Sequence, residues 1–239
     1  MNPSISEQHP EPGPTESSAE PAAEPGPTEW GEGRVGVGPW EAEHPGVPRP
    51  TGEMWDPELL DAGDRRNVVD RYRYWTREAI VADLDTRRHP FHVAIENFGH
   101  DANIGTVVRT ANAFLAAEVH IVGRRRWNRR GAMVTDRYQH LRHHAGVAEL
   151  MSWAAGEGLP VVAVDNLPGA EPLETASLPR WCVLLFGQEG PGVSDDARER
   201  AARTVSIAQF GSTRSINAGV AAGIAMHAWV REHAGPPPA

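Results

Sequence analysis

The sequence predicts an α/β fold, a mostly parallel sheet with helices on both faces. Two observations carry this expectation. Five short, largely apolar runs recur after residue 90, at 91–95, 118–122, 160–164, 181–186 and 204–207. Most are apolar throughout rather than alternating, which is how strands buried on both sides read. Between them lie segments with helical spacing or helix-start signals, and strands that alternate with helices point to parallel crossover units.

Taken in order, residues 1–50 hold 11 of the 21 prolines and 7 of the 24 glycines, with no stretch able to bury an apolar face. They are predicted to form a disordered tail. Gly31-Glu32-Gly33-Arg34-Val35-Gly36 spells the dinucleotide pattern G-x-G-x-x-G there, but without the strand before it and the helix after it that the mechanism needs, so it reads as a chance match. Residues 51–89 are predicted as a helical extension. Asp56-Pro57-Glu58 resembles an N-cap followed by Pro, Val68, Val69, Tyr72, Trp75 and Ile80 recur near helical spacing, and Pro90 ends the segment.

The main domain is expected over 90–234. It begins with a strand at Phe91–Ile95, a helix over 103–115 and a strand at Glu118–Val122. A basic stretch, a helix near 147–156 and strands at Pro160–Val164 and Trp181–Phe186 follow. A short helix starts near Ser194, Thr204–Ile207 is the last strand, Ser215–His233 is the closing helix, and 235–239 is a frayed end. In such sheets ligands bind beyond the carboxyl ends of the strands, so the loops there are where chemistry is sought.

The net charge of −9 divides unevenly: residues 1–45 carry nine Glu and one Arg, leaving −1 for the rest. The acidity therefore describes the tail and does not exclude a nucleic-acid partner. Every basic residue is Arg; the absence of Lys rules out a Schiff-base lysine or a P-loop. The single cysteine, Cys182, excludes an internal disulfide and a cysteine zinc site, and its apolar run reads as a buried thiol. The amino terminus lacks a basic-then-apolar leader pattern, and the longest weakly polar run, Ala218–Val230, is too short to span a bilayer. The expectation is a soluble cytoplasmic protein with no membrane attachment.

Three segments carry candidate chemistry. In Asn103-Ile104-Gly105-Thr106-Val107-Val108-Arg109-Thr110-Ala111-Asn112-Ala113-Phe114, the apolar residues follow helical spacing and form a buried face. Arg109 falls off that face, toward a cleft, and Asn103 is placed to cap the helix start. Phe186-Gly187-Gln188-Glu189-Gly190-Pro191-Gly192-Val193-Ser194 puts glycines directly after a buried strand, where they permit tight turns and close backbone approach to a ligand. Ile207-Ala208-Gln209-Phe210-Gly211-Ser212-Thr213-Arg214-Ser215-Ile216-Asn217 leads from a strand through a polar loop into a helix of mostly small residues, as expected of a helix packed tightly by backbone or ligand.

In this order and spacing the three segments resemble the three motifs of the SpoU/TrmH branch of the SPOUT methyltransferases: an N-x-G-x-x-x-R helix, a strand ending in G-x-E-G-x-G, and a strand, Gly loop and S-[LI]-N opening the last helix. The resemblance spans about residues 90–232. It implies a C-terminal trefoil knot, S-adenosyl-L-methionine as cofactor, methyl transfer to a ribose 2'-oxygen of tRNA or rRNA, and a homodimer. Carried over by motif, Gly187, Ile207, Gly211 and Ile216 would bind the cofactor. Arg109 would be the key catalytic residue, supported by Asn103, Glu189, Ser215 and Asn217. Arginine is a poor base, so Arg109 is expected to hold a phosphate or stabilise developing alkoxide charge. The third motif departs from the family, with Ile207-Ala208 for Ile-Pro and Gly219 for the second Ser.

RNA needs a docking surface. Gly123 to His144 holds seven arginines against one aspartate, a formal +6, with Trp127 and Tyr138 interleaved. Arg124, Arg125, Arg126, Arg129 and Arg130 are the candidate RNA contacts, and Arg65, Arg66, Arg71, Arg73 and Arg77 in the extension would suit RNA as well. Asp136, His140, His143 and His144 have helical metal-like spacing, but polyanion binding is the preferred reading and no metal is assigned. Two other functions stand beside methyl transfer. One is a non-catalytic RNA-binding or assembly factor on the same fold, against which Arg109, Glu189, Ser215 and Asn217 argue. The other is a nicotinamide oxidoreductase, against which the misplaced glycine pattern argues.

Overall fold

In the computed structural model, which describes residues 36–99 and 102–235, seven parallel strands form one sheet. They are β1 (Phe91–Asn97), β2 (Val119–Gly123), β3 (Leu141–His144), β4 (Val161–Val164), β5 (Glu171–Pro172), β6 (Cys182–Phe186) and β7 (Arg203–Ser206), in the order β3-β2-β1-β6-β4-β7-β5. Among the described residues the α-helices are α1 (Trp40–Glu43), α2 (Pro57–Ala62), α3 (Arg77–Asp85), α4 (Ile104–Ala113), α5 (Val147–Gly156), α6 (Asp195–Arg200) and α7 (Ala218–His233).

The period of two along β1 divides the core. Phe91, Val93 and Ile95 face α4 and α7, where they pack with Val107, Val108, Ala222 and Met226; the Trp229 ring lies 4.4 Å from that of Phe91. Ala94 faces the other way, toward Val147 and Leu150 of α5 and Ala197 of α6. Helices thus cover both faces, as expected from strands apolar on both sides. The small residues of α7 set its distance from α4: a Cβ on Gly219 would lie 3.0 Å from Thr106 Cγ2. Cys182 is fully buried, and burial pushes its thiol up to about 12.

The five predicted strands are all present. Two more were not anticipated. β3 reads Leu-Arg-His-His, too polar for a buried strand, because it is an outermost strand; β5 is two residues long. The last helix starts at Ala218 rather than Ser215, since Asn217 is its cap and accepts hydrogen bonds from Gly219 N (3.0 Å) and Val220 N (3.2 Å).

The predicted extension is not one helix. Asp56 caps α2, Thr76 caps α3, and between them the chain turns through Gly63 at φ 89° and Tyr74 at φ 62°. The break is organised by Asp64, a fully buried carboxylate that accepts from Arg66 N, Nε and Nη2 and from Tyr74 N. Burial pushes its carboxyl up, but these bonds outweigh burial and hold it below the usual carboxylate range. Within the predicted tail, residues 36–50 belong to this extension: Val37 bridges to Asp64, and Tyr74 Oη donates to Gly38 O at 2.7 Å. The rest of the predicted tail, the first two glycines of its G-x-G-x-x-G match and most of the C-terminal end lie outside the described residues.

Candidate active site

Because β1, β6, β4 and β7 are consecutive neighbours and all parallel, the loops at their carboxyl ends gather on one edge of the sheet. A cavity of about 250 Å³ opens there, lined by the loops after β4 (164–167), β6 (186–192) and β7 (207–218). Its wall mixes apolar side chains, among them Leu167, Phe186, Ile207 and Ile216, with polar ones, among them Asp165, Gln209, Arg214 and Ser215.

Glycines shape the β6 loop. Gly190 and Gly192 adopt φ of 91° and 74°, in the left-handed region that disfavours side chains. Gly187 has Gly192 folded directly over it, and a Cβ there would overlap that backbone. Gln188 and Gly192 exchange backbone hydrogen bonds of 3.1 and 3.0 Å, closing the loop. Asp165, at the end of β4, accepts from Val193 N at 2.8 Å and fixes the far side.

The three motif segments meet around Glu189. Its Oε2 accepts from Asn103 Nδ2 at 2.7 Å, from Asn217 Nδ2 at 3.3 Å and from Ala218 N at 3.3 Å, while Asn217 Nδ2 also donates to Asn103 Oδ1 at 2.8 Å. One carboxylate therefore ties the start of α4, the β6 loop and the start of α7. This corrects the expectation for Asn103: it occupies the N-cap position, but its side chain makes no cap bond and is spent on Glu189 and Asn217.

Of the other predicted residues, Gly187, Ile207, Ile216 and Ser215 line the cavity and Gly211 does not. Arg109 is exposed on α4, with no hydrogen bond or ion pair to another described residue. The departures of the third motif have physical counterparts. Ala208 N donates to Glu174 Oε1 at 2.9 Å, a bond that proline cannot make. Gly219 leaves the room that α4 needs. The sequence analysis missed Asp165, Asn166 and Leu167, which line the cavity; the strand–turn pattern of Val164-Asp165-Asn166-Leu167-Pro168-Gly169 was the available signal.

Arg124, Arg125, Arg126, Arg129 and Arg130 are all exposed. Buried Asn97, at the end of β1, pins their segment by donating to Arg124 O (2.7 Å) and Arg126 O (3.0 Å). Gly105 in α4 lets it pack closely, since a Cβ there would lie 2.6 Å from Ala132 N. The Arg129 guanidinium sits 5.5 Å from the Trp127 ring and pairs with Asp136 at 3.0 Å. Tyr138 is buried and offers no stacking face. In the extension, Arg66 and Arg73 are committed to internal partners, and Arg71 pairs with Asp83. The metal-like spacing of 136–144 dissolves: residues 141–144 are strand, His140 Nε2 contacts Asp85 Oδ1 at 2.8 Å and His143 Nε2 contacts Gly123 O at 2.7 Å. No helix among the described residues is long and apolar enough to cross a membrane.

The chain is similar in sequence and fold to RNA methyltransferases. The tRNA (guanosine(18)-2'-O)-methyltransferase of Escherichia coli (strain K12) is 25% identical over 156 residues, 64% of this chain and 68% of the relative. An uncharacterized tRNA/rRNA methyltransferase of Mycolicibacterium vanbaalenii is 32% identical over 174 residues, 66% of this chain, though the match spans only 52% of that relative. Among solved structures, the SpoU methyltransferase AviRb from Streptomyces viridochromogenes in complex with the cofactor AdoMet superposes with a TM-score of 0.57 at 23% identity, covering 65% of this chain and 62% of that one. Residues 90–227 match the family model of the SpoU rRNA Methylase family, and with all three motif segments joined at Glu189 inside that span, the chain belongs to that family.

Proposed function

We propose that this protein is an S-adenosylmethionine-dependent RNA methyltransferase that methylates a ribose 2'-oxygen in tRNA or rRNA. The observation that carries the reading is the Asn103–Glu189–Asn217 knot of hydrogen bonds beside the cavity, which joins residues from all three motifs. The E. coli relative's 2'-O activity and the cofactor in the AviRb complex support the same reaction class.

The cavity suits the cofactor. Leu167, Phe186, Ile207 and Ile216 offer apolar walls for a flat heterocycle, and Asp165, Asn166 and the Gly187 backbone offer polar partners. S-adenosylmethionine, when bound, supplies a methyl group on a sulfonium. The chain's own work is alignment and charge. Arg109 holds the RNA phosphate or the developing alkoxide, with the departing proton passing to phosphate or water. Glu189 keeps Asn103 and Asn217 in register, and Ser215 supplies a further hydrogen-bonding group at the cavity wall. The basic segment 124–130 binds backbone phosphates, and Phe210, 97% exposed in the third-motif loop, presents a face on which a base can stack.

The same reading gives the C-terminal part the family's trefoil knot, the chain a cytoplasmic place of work and the molecule a homodimer. Val220 and Ile224, exposed one turn apart on α7, are an apolar stripe suited to a second copy.

The test is methyl transfer from labelled S-adenosylmethionine to separate pools of unmodified tRNA and rRNA, with digestion to nucleosides. Label is expected in a 2'-O-methylnucleoside and is expected to be lost in Arg109→Ala, which should still bind the cofactor. Full turnover by Arg109→Ala would overturn its role. Cofactor binding without label on any RNA pool would favour a non-catalytic RNA-binding factor.

A further inference from the structure

Away from the cavity, the parallel register of the first three strands lines up three imidazoles. His92 on β1, His120 on β2 and His144 on β3 share the sheet face toward α5 with Ala94 and Val122. His92 Nδ1 lies 3.0 Å from His120 Nε2, and His120 Nδ1 lies 2.9 Å from His144 Nε2. Trp153 of α5 roofs the row, its ring 4.2 Å from that of His120. Glu118, just before β2, brings Oε2 to 3.8 Å from His120 Nε2, and the candidate ligand atoms of His92, Glu118 and His120 all lie within 4.8 Å of one another.

Proton accounting constrains this row. A neutral imidazole carries one N–H, donor at one nitrogen and acceptor at the other. If His120 donated from Nε2 to His92, it would have to accept from His144 Nε2, leaving His144 Nδ1 as a bare buried acceptor. His144 Nδ1 has no hydrogen-bond partner, and Glu149 Oε1, 3.9 Å away, is itself an acceptor. The better arrangement runs outward: His120 Nδ1–H donates to His144 Nε2, and His144 Nδ1–H points at Glu149. Ala145 N holds that carboxylate in place through its other oxygen, at 2.7 Å. His120 Nε2 is then a lone pair aimed at His92 Nδ1 with a carboxylate alongside.

We propose that His92 Nδ1, His120 Nε2 and Glu118 form a binding site for a divalent transition-metal ion, best suited to Zn²⁺. Tetrahedral zinc with bonds of about 2.0–2.2 Å places its ligands roughly 3.3 Å apart, between the two separations found here. Two imidazoles and a carboxylate are a zinc ligand set with a fourth position open to water. The outward chain from His120 through His144 to Glu149 is the arrangement that orients ligating histidines in metal sites. The local charge permits a cation: Glu118 and Glu149 are negative, against the positive Arg142, whose Nε donates to Glu118 Oε2 at 3.0 Å. His92 and Glu118 are only partly buried and give the ion a path in. The site is empty. It lies near the amino ends of β1 and β2, opposite the cavity, so its role is to clamp β1, β2 and α5 rather than to take part in methyl transfer.

The test uses the full chain without an affinity tag, stripped with chelator and dialysed against Zn²⁺, with bound metal counted by mass spectrometry and Co²⁺ used as a visible probe. One ion per chain, an intense visible Co²⁺ spectrum and a melting temperature raised by Zn²⁺ are expected. His92→Gln and Glu118→Gln, at partly exposed positions, should weaken binding roughly tenfold or more and abolish the Zn²⁺-dependent rise, with the metal-free melting temperature little changed. His140→Gln should behave as the parent. Absence of stoichiometric binding, or binding that both ligand variants leave intact, would overturn the site. None of these readouts depends on methyl transfer.

Discussion

Glu189 concentrates three donors on one oxygen, so its loss takes that acceptor from Asn103 Nδ2 and Ala218 N and leaves Asn217 Nδ2 only Asn103 Oδ1, while removing little packing. Glu189→Ala is expected to lower the rate of methyl transfer by roughly 10²-fold or more, with a melting temperature within a few degrees of the parent; steady-state kinetics beside a thermal melt would check this. Asp64 is the opposite case, a residue of stability and not of chemistry. Its carboxyl is held below the ordinary value of 3.8, so the unfolded chain binds the proton more readily than the folded one. The stability it contributes is complete above that value and is lost as pH falls below it through the folded pKa. Asp64→Asn should cost about 3 kcal/mol at neutral pH and flatten the acid limb of urea unfolding measured between pH 5 and 2 (about that window).

Among elements, α4 shows how a small residue couples the candidate site to the proposed RNA surface. Gly105→Ala would press a methyl group onto the backbone of Gly131 and Ala132, which cannot yield as a side chain would. The expected cost is about 1–3 kcal/mol of stability, together with weaker RNA binding in a filter or anisotropy assay as the 124–130 segment is displaced. The elements differ in how far they could be read in advance. β1, β4 and β6 were legible because both their faces are buried, so their sequences are continuously apolar. β3 was not, because an outermost strand with two histidines and an arginine carries no such run. The extension misled because Val68, Tyr72 and Ile80 mimic a helical face while Tyr74, at a positive φ, turns the chain between Tyr72 and Ile80, and Gly63 turns it ahead of Val68. In the candidate site, Glu189 and Asn217 were visible through their motif spacing, and Arg109, picked out in the same way, stands exposed on α4 outside the cavity lining. Asn103 was visible as a polar residue at a helix start, but not as the partner of Glu189, since that pairing joins residues 86 apart in sequence. Asp165 stood in no motif, and only the adjacency of β4 to β6 and β7 brings it to the cavity wall.

At the scale of the molecule, the exposed Val220 and Ile224 give a prediction about assembly. Val220→Arg should convert a dimer to a monomer in light scattering, at little cost to the fold, because the residue is half exposed within one chain. The order of the sheet has a separate consequence. β6 lies between β1 and β4, yet it is made after both. A growing chain that has emerged only as far as β4 therefore has two apolar strands that cannot meet, each presenting an unpaired edge to solvent. The ladder closes only when residues 182–186 leave the ribosome and enter the gap. Such late, long-range closure makes for slow folding and an interval of vulnerability to aggregation, so truncated or stalled chains ending before residue 180 should depend on chaperones while the complete chain does not.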